Sequence, residues 1–253
     1  MSLSLEKRNL FEKLLEDNTH GSSHILRKTV EILKDVPSGE QAGYIKMLCE
    51  AHKGMAYLIN LKKFVETQKK GCEEFYEEVK KAQSEVLERF ESYLESVEIK
   101  TVFTLSYSAA VRDALLKIKD KRFEVWVGES RPALEGIKFA EHLFNSGFKN
   151  ITVMTDANLL SSVSKADLII LGCDAFTDSF FVNKTGSRAL CLLGERFGVK
   201  TIVLADRFKK IEAKDVVFKE GAPDEIYCGK AKLNVENPYF EMVYFTENVI
   251  IFY

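Results

Sequence analysis

The chain has 253 residues, of which 46% are apolar and 29% charged, and its formal net charge is -2. This is an ordinary globular composition, and the length suffices for one large core or for a core with a smaller second domain. The near-neutral charge argues against a broad nucleic-acid-binding surface, and no apolar run approaches the roughly 18 residues of a membrane helix. We therefore predict a cytoplasmic protein without direct nucleic-acid or membrane partners.

The cysteine and histidine pattern indicates no metal site. The five cysteines are scattered, and none forms a CxxC pair. The four histidines form no HExxH or similar cluster, so a structural zinc site is not expected. Neither GxGxxG after a strand nor GxxxxGK[ST] occurs, which argues against the usual nicotinamide and nucleoside-triphosphate enzymes. We predict no cofactor, no metal and reduced thiols, as in a cytosolic protein.

Residues 1–97 are predicted to form an all-helical domain. Ser22 or Ser23 can cap a helix, which Pro37, Ser38 and Gly39 then end. The apolar face of that helix consists of Ile25, Leu26, Val30, Ile32 and Leu33. Further helices are predicted over 40–52 and 54–67, and from Cys72 to about residue 97.

Residues 98–253 are predicted to form a Rossmann-like, doubly wound α/β domain with a mostly parallel sheet. Continuously apolar strands separated by helices indicate such a sheet, covered on both faces. The apolar runs cover 99–105, 123–127, 151–154, 168–171 and 201–204, and the helices fall near 108–119, 133–146, 158–165 and 185–197. Two last runs, 242–246 and 249–253, are either a kinked pair of short strands or one bent strand.

Ligands of such sheets bind outside the carboxyl ends of the strands. The residues that follow the predicted strands are rich in hydroxyls, carboxylates and arginine. They are SYS (106–108), GESRP (128–132), TDAN (155–158), GCD (172–174) and ADR (205–207). We therefore expect a binding site for a small phosphorylated ligand at this edge of the sheet.

Arg131 is one candidate for binding the phosphate. It directly precedes Pro132, which suits the first turn of a helix. Arg131 would then lie near a helix N-terminus, where backbone N–H groups and the macrodipole favour an anion. Its guanidinium can add a bidentate contact to phosphate. The alternative is an exposed arginine paired with Glu129 or Glu135.

Asp174, Asn183 and Lys184 form a second candidate group. Asp174 ends the most apolar strand, and Asn183 and Lys184 are predicted to open a helix nine residues later. The helix dipole disfavours a lysine at that end, so its presence suggests an anionic ligand. The alternative is an Asp174–Lys184 salt bridge that only fixes the loop.

These segments together resemble a family of translation factors and enzymes. It contains the alpha, beta and delta subunits of eukaryotic translation initiation factor 2B, their archaeal and bacterial relatives, and isomerases of methylthioribose 1-phosphate and ribose 1,5-bisphosphate. The matching segments are TLSYS (104–108), GESRPALEG (128–136), TDAN (155–158), LIILGCDAFTDSFFVNKTGS (168–187) and NPYFEMVYFTENV (237–249). They span about residues 98–253, whereas the helical region matches more loosely through GSS (21–23).

The resemblance implies a homodimer and a sugar-phosphate pocket between the two domains. Asp174 stands where the isomerases place their catalytic carboxylate, and Ser106 stands at their cysteine position. The residues implied in binding the ligand are Gly21, Ser130, Arg131, Glu135, Asn183 and Lys184.

Two departures from the isomerases bear on catalysis. Ser106 and Leu105 replace the cysteine and histidine of a THC-type motif, and an alcohol with a pKa far above 7 cannot readily replace a thiol in proton transfer. His20 replaces an arginine before Gly21 and loses the bidentate grip on phosphate. The initiation-factor branch commonly carries a serine-type motif, but it tends to have glutamate where this chain has Asp174.

The leading hypothesis is a non-catalytic or weakly catalytic, initiation-factor-2B-like protein that binds a sugar phosphate or nucleotide and acts through protein contacts, with translation factors as candidate partners. The alternative is an aldose–ketose phosphate isomerase with Asp174 as general acid/base and Ser106, or an ordered water, as its counterpart. A third option is a structural dimer with a vestigial pocket.

Overall fold

The computed structural model describes residues 3–17, 21–118, 123–218 and 220–253. The chain divides into two compact units. The first, the helical unit, consists of Met1–Ser84 and Asp206–Val217, and the second, the α/β unit, consists of Glu85–Ala205 and Phe218–Tyr253. Each unit is therefore built from two separate stretches of the sequence.

The first stretch contains five helices among the described residues, of which the last four confirm the predicted ones. They are α1 Leu5–Glu16, α2 Ser22–Leu33, α3 Ser38–Ala51, α4 Ala56–Gln68 and α5 Cys72–Glu95, which continues into the α/β unit. The prediction of a serine cap is wrong, because Ser22 already belongs to the first turn of α2 and Gly21 is its N-cap. Pro37 is the N-cap of α3, so this segment begins a helix rather than ending one.

The core of the helical unit includes the predicted face of α2, all five positions of which are buried. Phe75 of α5 packs edge-on against the rings of Phe64 and Phe208. Phe208 belongs to the stretch Asp206–Val217, which returns to this unit from the far part of the sequence. The hydroxyl of buried Tyr57 donates a hydrogen bond to Asp206 of the same stretch. Ring packing and a buried hydrogen bond therefore both attach this stretch to the helices.

The α/β unit contains a parallel sheet with the predicted strands. The strands of the whole unit are β1 Thr101–Thr104, β2 Glu124–Gly128, β3 Ile151–Met154, β4 Leu168–Leu171, β5 Ala175–Phe176, β6 Phe180–Lys184, β7 Lys200–Leu204, β8 Phe240–Tyr244 and β9 Val249–Phe252. Its helices after α5 are α6 Ala109–Lys117, α7 Glu135–Asn145, α8 Asp156–Ser161 and α9 Ser187–Phe197. One sheet has the order β3-β2-β1-β4-β7-β9, with every neighbouring pair parallel.

Both faces of this sheet are covered. Along β4, Leu168 and Ile170 belong to one apolar cluster, which also contains residues of α5, α6 and α7. Ile169 and Leu171 point to the opposite face and belong to a second cluster, which contains residues of α8 and α9. Successive residues of a strand face opposite sides, so the continuously apolar strands reflect burial on both. The predicted α/β class with a doubly wound sheet is confirmed.

A second, antiparallel sheet has the order β5-β6-β8. Asn183 and Lys184 lie in β6, where they pair with Glu241 and Phe240 of β8. The prediction that these two residues open a helix is therefore wrong, because α9 begins only at Ser187. The two last apolar runs form a pair of short strands rather than one bent strand, and the two strands belong to different sheets, β8 to the antiparallel one and β9 to the parallel one.

Candidate functional site

The loops after β1 and β4 meet where the strand order of the parallel sheet reverses. This switch point is the usual place for a ligand in such sheets. Ser106–Ser108 follow β1 and Gly172–Asp174 follow β4. A side chain at Gly172 would place its Cβ 2.3 Å from Ser108 Oγ and 3.8 Å from Asn183 Oδ1, so glycine is required for this close approach. The predicted loops of β1 and β4 thus come together with Asn183.

Ser106 and Ser130 are brought together by the loops after β1 and β2. The backbone N–H of Ser106 donates to Ser130 Oγ at 2.7 Å, and Ser130 Oγ donates to the carbonyl oxygen of Gly128 at 3.1 Å. Both serines have left-handed backbone conformations, with φ of 66° and 63°. Ser130 is buried, while Ser106 is half-buried. Ser130 therefore fixes the loop that carries Ser106.

The loop that carries Arg131 is attached to the start of α8. The backbone N–H groups of Ser130 and Arg131 donate to the two carboxylate oxygens of Asp156, each at 2.8 Å. These two N–H groups thus already donate to a carboxylate of the chain itself. The guanidinium of Arg131 is exposed, and its Nη2 lies 3.4 Å from the carbonyl oxygen of Glu225. A ligand phosphate would therefore meet the side chain of Arg131 rather than its amide.

The predicted helical position of Pro132 is wrong. The helix α7 begins at Glu135, with Leu134 as its N-cap in a left-handed conformation. Pro132 lies in the preceding turn, and its peptide bond to Arg131 is cis. The turn is closed by a hydrogen bond of 3.0 Å from the backbone N–H of Leu134 to the carbonyl oxygen of Ser130.

Lys184 and Glu135 form a buried ion pair. The distance from Lys184 Nζ to Glu135 Oε1 is 2.6 Å, and the lysine side chain is only 4% exposed. The Lys184 ammonium also lies 4.9 Å from the centre of the Tyr239 ring. Glu135 Oε2 is buried and has no hydrogen-bond partner among the described residues. Glu135 therefore pairs with Lys184, not with Arg131 as one alternative proposed.

The ring of Tyr239 lies against the Lys184 ammonium, and its hydroxyl is held by a neighbouring loop. Its hydroxyl donates to Glu225, which also accepts a hydrogen bond of 2.8 Å from Asn237 Nδ2. Partial burial and the Glu225 carboxylate raise the pKa of Tyr239 to about 12. Tyr239 was not among the predicted site residues, although it lies in the NPYFE segment that carries the family resemblance.

The N-terminus of α9 is also occupied by a side chain of the chain itself. Glu241 Oε1 accepts hydrogen bonds from the backbone N–H groups of Gly186 and Arg188, at 2.8 and 2.9 Å. A carboxylate at this position interacts favourably with the helix dipole. Asn183 is buried next to this helix, and its Nδ2 donates to Ser187 Oγ at 2.9 Å. The predicted anion site at the start of this helix is therefore filled by Glu241.

Asp174 is half-buried at the start of the antiparallel sheet. Its backbone N–H donates to the carbonyl oxygen of Val182 at 2.8 Å, and Val182 also pairs with Ala175, the first residue of β5. The neighbouring thiol of Cys173 is buried and donates to the carbonyl oxygen of Ala175 at 3.0 Å. Asp174 thus lies beside β6, the strand that carries Asn183.

The remaining predicted position belongs to the helical unit. Gly21 is the N-cap of α2, with extended backbone geometry and space around its Cα. His20 lies outside the described residues. Among the residues that the structure describes, no group of three or more side chains could hold a metal ion, and no helix is long and apolar enough to cross a membrane.

Comparisons with known proteins give both branches of the family. The family described as "Initiation factor 2 subunit family" matches residues 19–245. A Pyrococcus furiosus protein described as translation initiation factor eIF-2B subunit 2-like is 29% identical over 231 residues, which is 83% of each chain. The 5-deoxyribose 1-phosphate isomerase of Clostridium botulinum is 28% identical over 142 residues, 51% of this chain and 40% of the enzyme.

The fold is also similar to that of a solved structure of a translation initiation factor. The crystal structure of translation initiation factor eIF-2B from Pyrococcus horikoshii has a TM-score of 0.78 and 22% sequence identity. The match covers 95% of this chain and 92% of the other. At this identity the likeness concerns the fold.

Proposed function

We propose that this chain, which belongs to the initiation factor 2 subunit family, binds a small phosphorylated ligand at the carboxyl ends of its parallel strands and acts through protein contacts without catalysing isomerisation. The ligand class is a sugar phosphate or nucleotide. Translation factors are the candidate protein partners.

One observation carries the non-catalytic part of the proposal. Ser106 stands at the position of the isomerases' cysteine, and its loop is fixed by the hydrogen bond to Ser130 Oγ. An alcohol has a pKa far above 7, so it is a poor acid/base partner for Asp174. The buried thiol nearby does not replace it, because Cys173 Sγ is engaged with Ala175.

The arrangement of polar side chains supports the binding part. Arg131 presents an exposed guanidinium from a loop that Asp156 holds in place. Lys184 and Asn183 supply buried polar groups at the other strand ends. Polar groups that are already held in place reduce the entropy lost on binding.

The homodimer that the resemblance implies is part of the same proposal. The α/β unit leaves large apolar side chains exposed on two neighbouring elements, Leu192 and Phe197 on α9 and Tyr244 on β8. Exposed apolar side chains of this size are typical of protein interfaces. Light scattering on the samples used below should give twice the mass of one chain.

Binding can be tested by thermal unfolding with a panel of sugar phosphates and nucleoside phosphates. A ligand at about 100 times its dissociation constant should add about 2.7 kcal/mol to the stability. Replacing Arg131 by Met should weaken binding at least about tenfold, since a charged contact is lost. The matched control is Arg196→Met, at an exposed position near the end of α9. No shift with any ligand would favour a vestigial pocket.

Catalysis is tested on the same protein. We expect no interconversion of aldose and ketose phosphates. Turnover that Asp174→Asn abolished would contradict the proposal and support the isomerase alternative.

A further inference from the structure

We propose that Glu135 is a specificity-determining residue, which makes the Lys184 end of the site accept a hydroxyl group and reject a second phosphate. This inference rests on the proposed function, because it names the ligand class for that site. The class is a phosphosugar or related polyol with one phosphate, bound at Arg131, and with free hydroxyls at the Lys184 end.

Lys184 is paired with a carboxylate inside the protein. Its ammonium is buried and lies 2.6 Å from Glu135 Oε1. The positive charge is therefore cancelled at contact distance, in surroundings where charges interact strongly. A phosphate dianion at Lys184 would face the Glu135 carboxylate at close range. It would have to displace Glu135 or tolerate the repulsion between like charges.

The second carboxylate oxygen of Glu135 can accept a further hydrogen bond. Its Oε2 atom is buried and has no donor among the described residues. A buried acceptor without a donor is costly, and an ionised carboxylate can only accept hydrogen bonds. A ligand hydroxyl can donate to this oxygen, whereas the oxygens of an ionised phosphate cannot. The group that complements this atom is therefore a hydroxyl.

Arg131, four residues before Glu135 in the sequence, differs from Lys184 in its contacts. The contact of its guanidinium with Glu225 is a long one, 3.4 Å to a neutral carbonyl oxygen. That contact does not cancel the charge of Arg131. The guanidinium can therefore receive a phosphate. The chain thus offers a positive group at Arg131 and a neutralised lysine at Lys184.

The test compares monophosphates with matching bisphosphates by calorimetry on the full chain. Suitable pairs are ribose 5-phosphate with ribose 1,5-bisphosphate, and fructose 6-phosphate with fructose 1,6-bisphosphate. The wild-type protein should bind the monophosphate at least about tenfold more tightly than its bisphosphate. This ratio requires no variant, so it decides even if a substitution fails to fold.

The Glu135→Gln variant then assigns the preference to this carboxylate. Glutamine keeps an oxygen that can accept from Lys184, but it removes the negative charge. The preference for the monophosphate should fall by about tenfold or reverse. Glu141→Gln is the matched control, because it makes the same change at an exposed position of the same helix, α7. Its preference should equal that of the wild type.

The outcomes separate the inference from the function on which it rests. Tighter wild-type binding of bisphosphates, or an unchanged ratio in Glu135→Gln, would overturn the role of Glu135 while leaving the ligand site in place. Absence of binding for every compound would overturn the proposed function, and this inference with it.

Discussion

Each unit contains a carboxylate that pairs with a buried side chain, but the two carboxylates differ in how many of their oxygens accept a hydrogen bond. In the helical unit, Asp206 is 3% exposed, and both of its oxygens accept hydrogen bonds, one from the Tyr57 hydroxyl and one from the backbone N–H of Phe208. In the α/β unit, Glu135 receives Lys184 on one oxygen, while its buried second oxygen has no donor within the described part of the chain. The first network is complete and the second is not.

This difference separates a structural network from a binding one. A complete buried network rigidifies its surroundings and leaves no polar atom for a ligand. The burial of Tyr57 and the nearby Asp206 charge raise the pKa of the tyrosine well above its usual value, so the hydroxyl remains a donor. An incomplete network costs free energy until a ligand supplies the missing donor. We therefore expect substitutions at the two networks to have different consequences.

The largest expected effect is that of Tyr57→Phe, which would break the complete network. Asp206 would lose a donor while remaining buried, and Gln83 Nε2 would lose its acceptor, now 2.9 Å away. The free energy of unfolding should fall by about 3 kcal/mol, measured by urea denaturation. Tyr44→Phe is the control, because that ring packs against Phe11 at a half-buried position and should change stability by less than about 0.5 kcal/mol. Equal effects would contradict the structural role of Tyr57.

A smaller loss is expected for Lys184→Met in the α/β unit. Glu135 would lose its cation, but its side chain is 23% exposed, so its charge is not fully buried. The expected loss is about 2 kcal/mol, less than for a fully buried pair. Lys138→Met, at an exposed position of α7, should be close to neutral. A loss larger than that of Tyr57→Phe would reverse the comparison between the two networks.

The smallest effect is expected for Glu241→Gln, a carboxylate of the α/β unit that is fully engaged. The glutamine oxygen can still accept from the backbone N–H groups of Gly186 and Arg188, but the negative charge at the start of α9 is lost. Stability should fall by about 1 kcal/mol in urea denaturation. Glu195→Gln removes the same charge near the other end of this helix, where the dipole makes its loss neutral or slightly stabilising. A loss at Glu195 as large as at Glu241 would rule out the helix-end explanation.

The parallel sheet could be predicted from sequence because each of its first strands is a continuous apolar run. The antiparallel sheet could not be predicted in the same way. Its strand β5 has two residues, and β6 ends in the polar pair Asn183 and Lys184. These residues are held in a strand by pairing with β8, more than fifty residues away in sequence. Such long-range pairing overrides local preference.

The candidate site was only partly predictable for a similar reason. Sequence placed Ser106, Arg131 and Asp174 at strand ends, where the structure has them. The partner of Lys184 was not predictable, because Glu135 belongs to α7, far away in sequence, and carboxylates nearer in sequence were available. The roles of Asp156 and Glu241, whose carboxylates accept hydrogen bonds from backbone N–H groups, were not predictable either, because those N–H groups are more than twenty residues away in sequence.

The return of Asp206–Val217 to the helical unit sets an order of events during protein synthesis. The helices are made first, but Tyr57 meets its partner Asp206 only 149 residues later. Phe75 likewise waits for the ring of Phe208. The helical unit therefore completes its core after the strands up to β7 have left the ribosome. Most of the parallel sheet has therefore been synthesised before the core of the helical unit is complete.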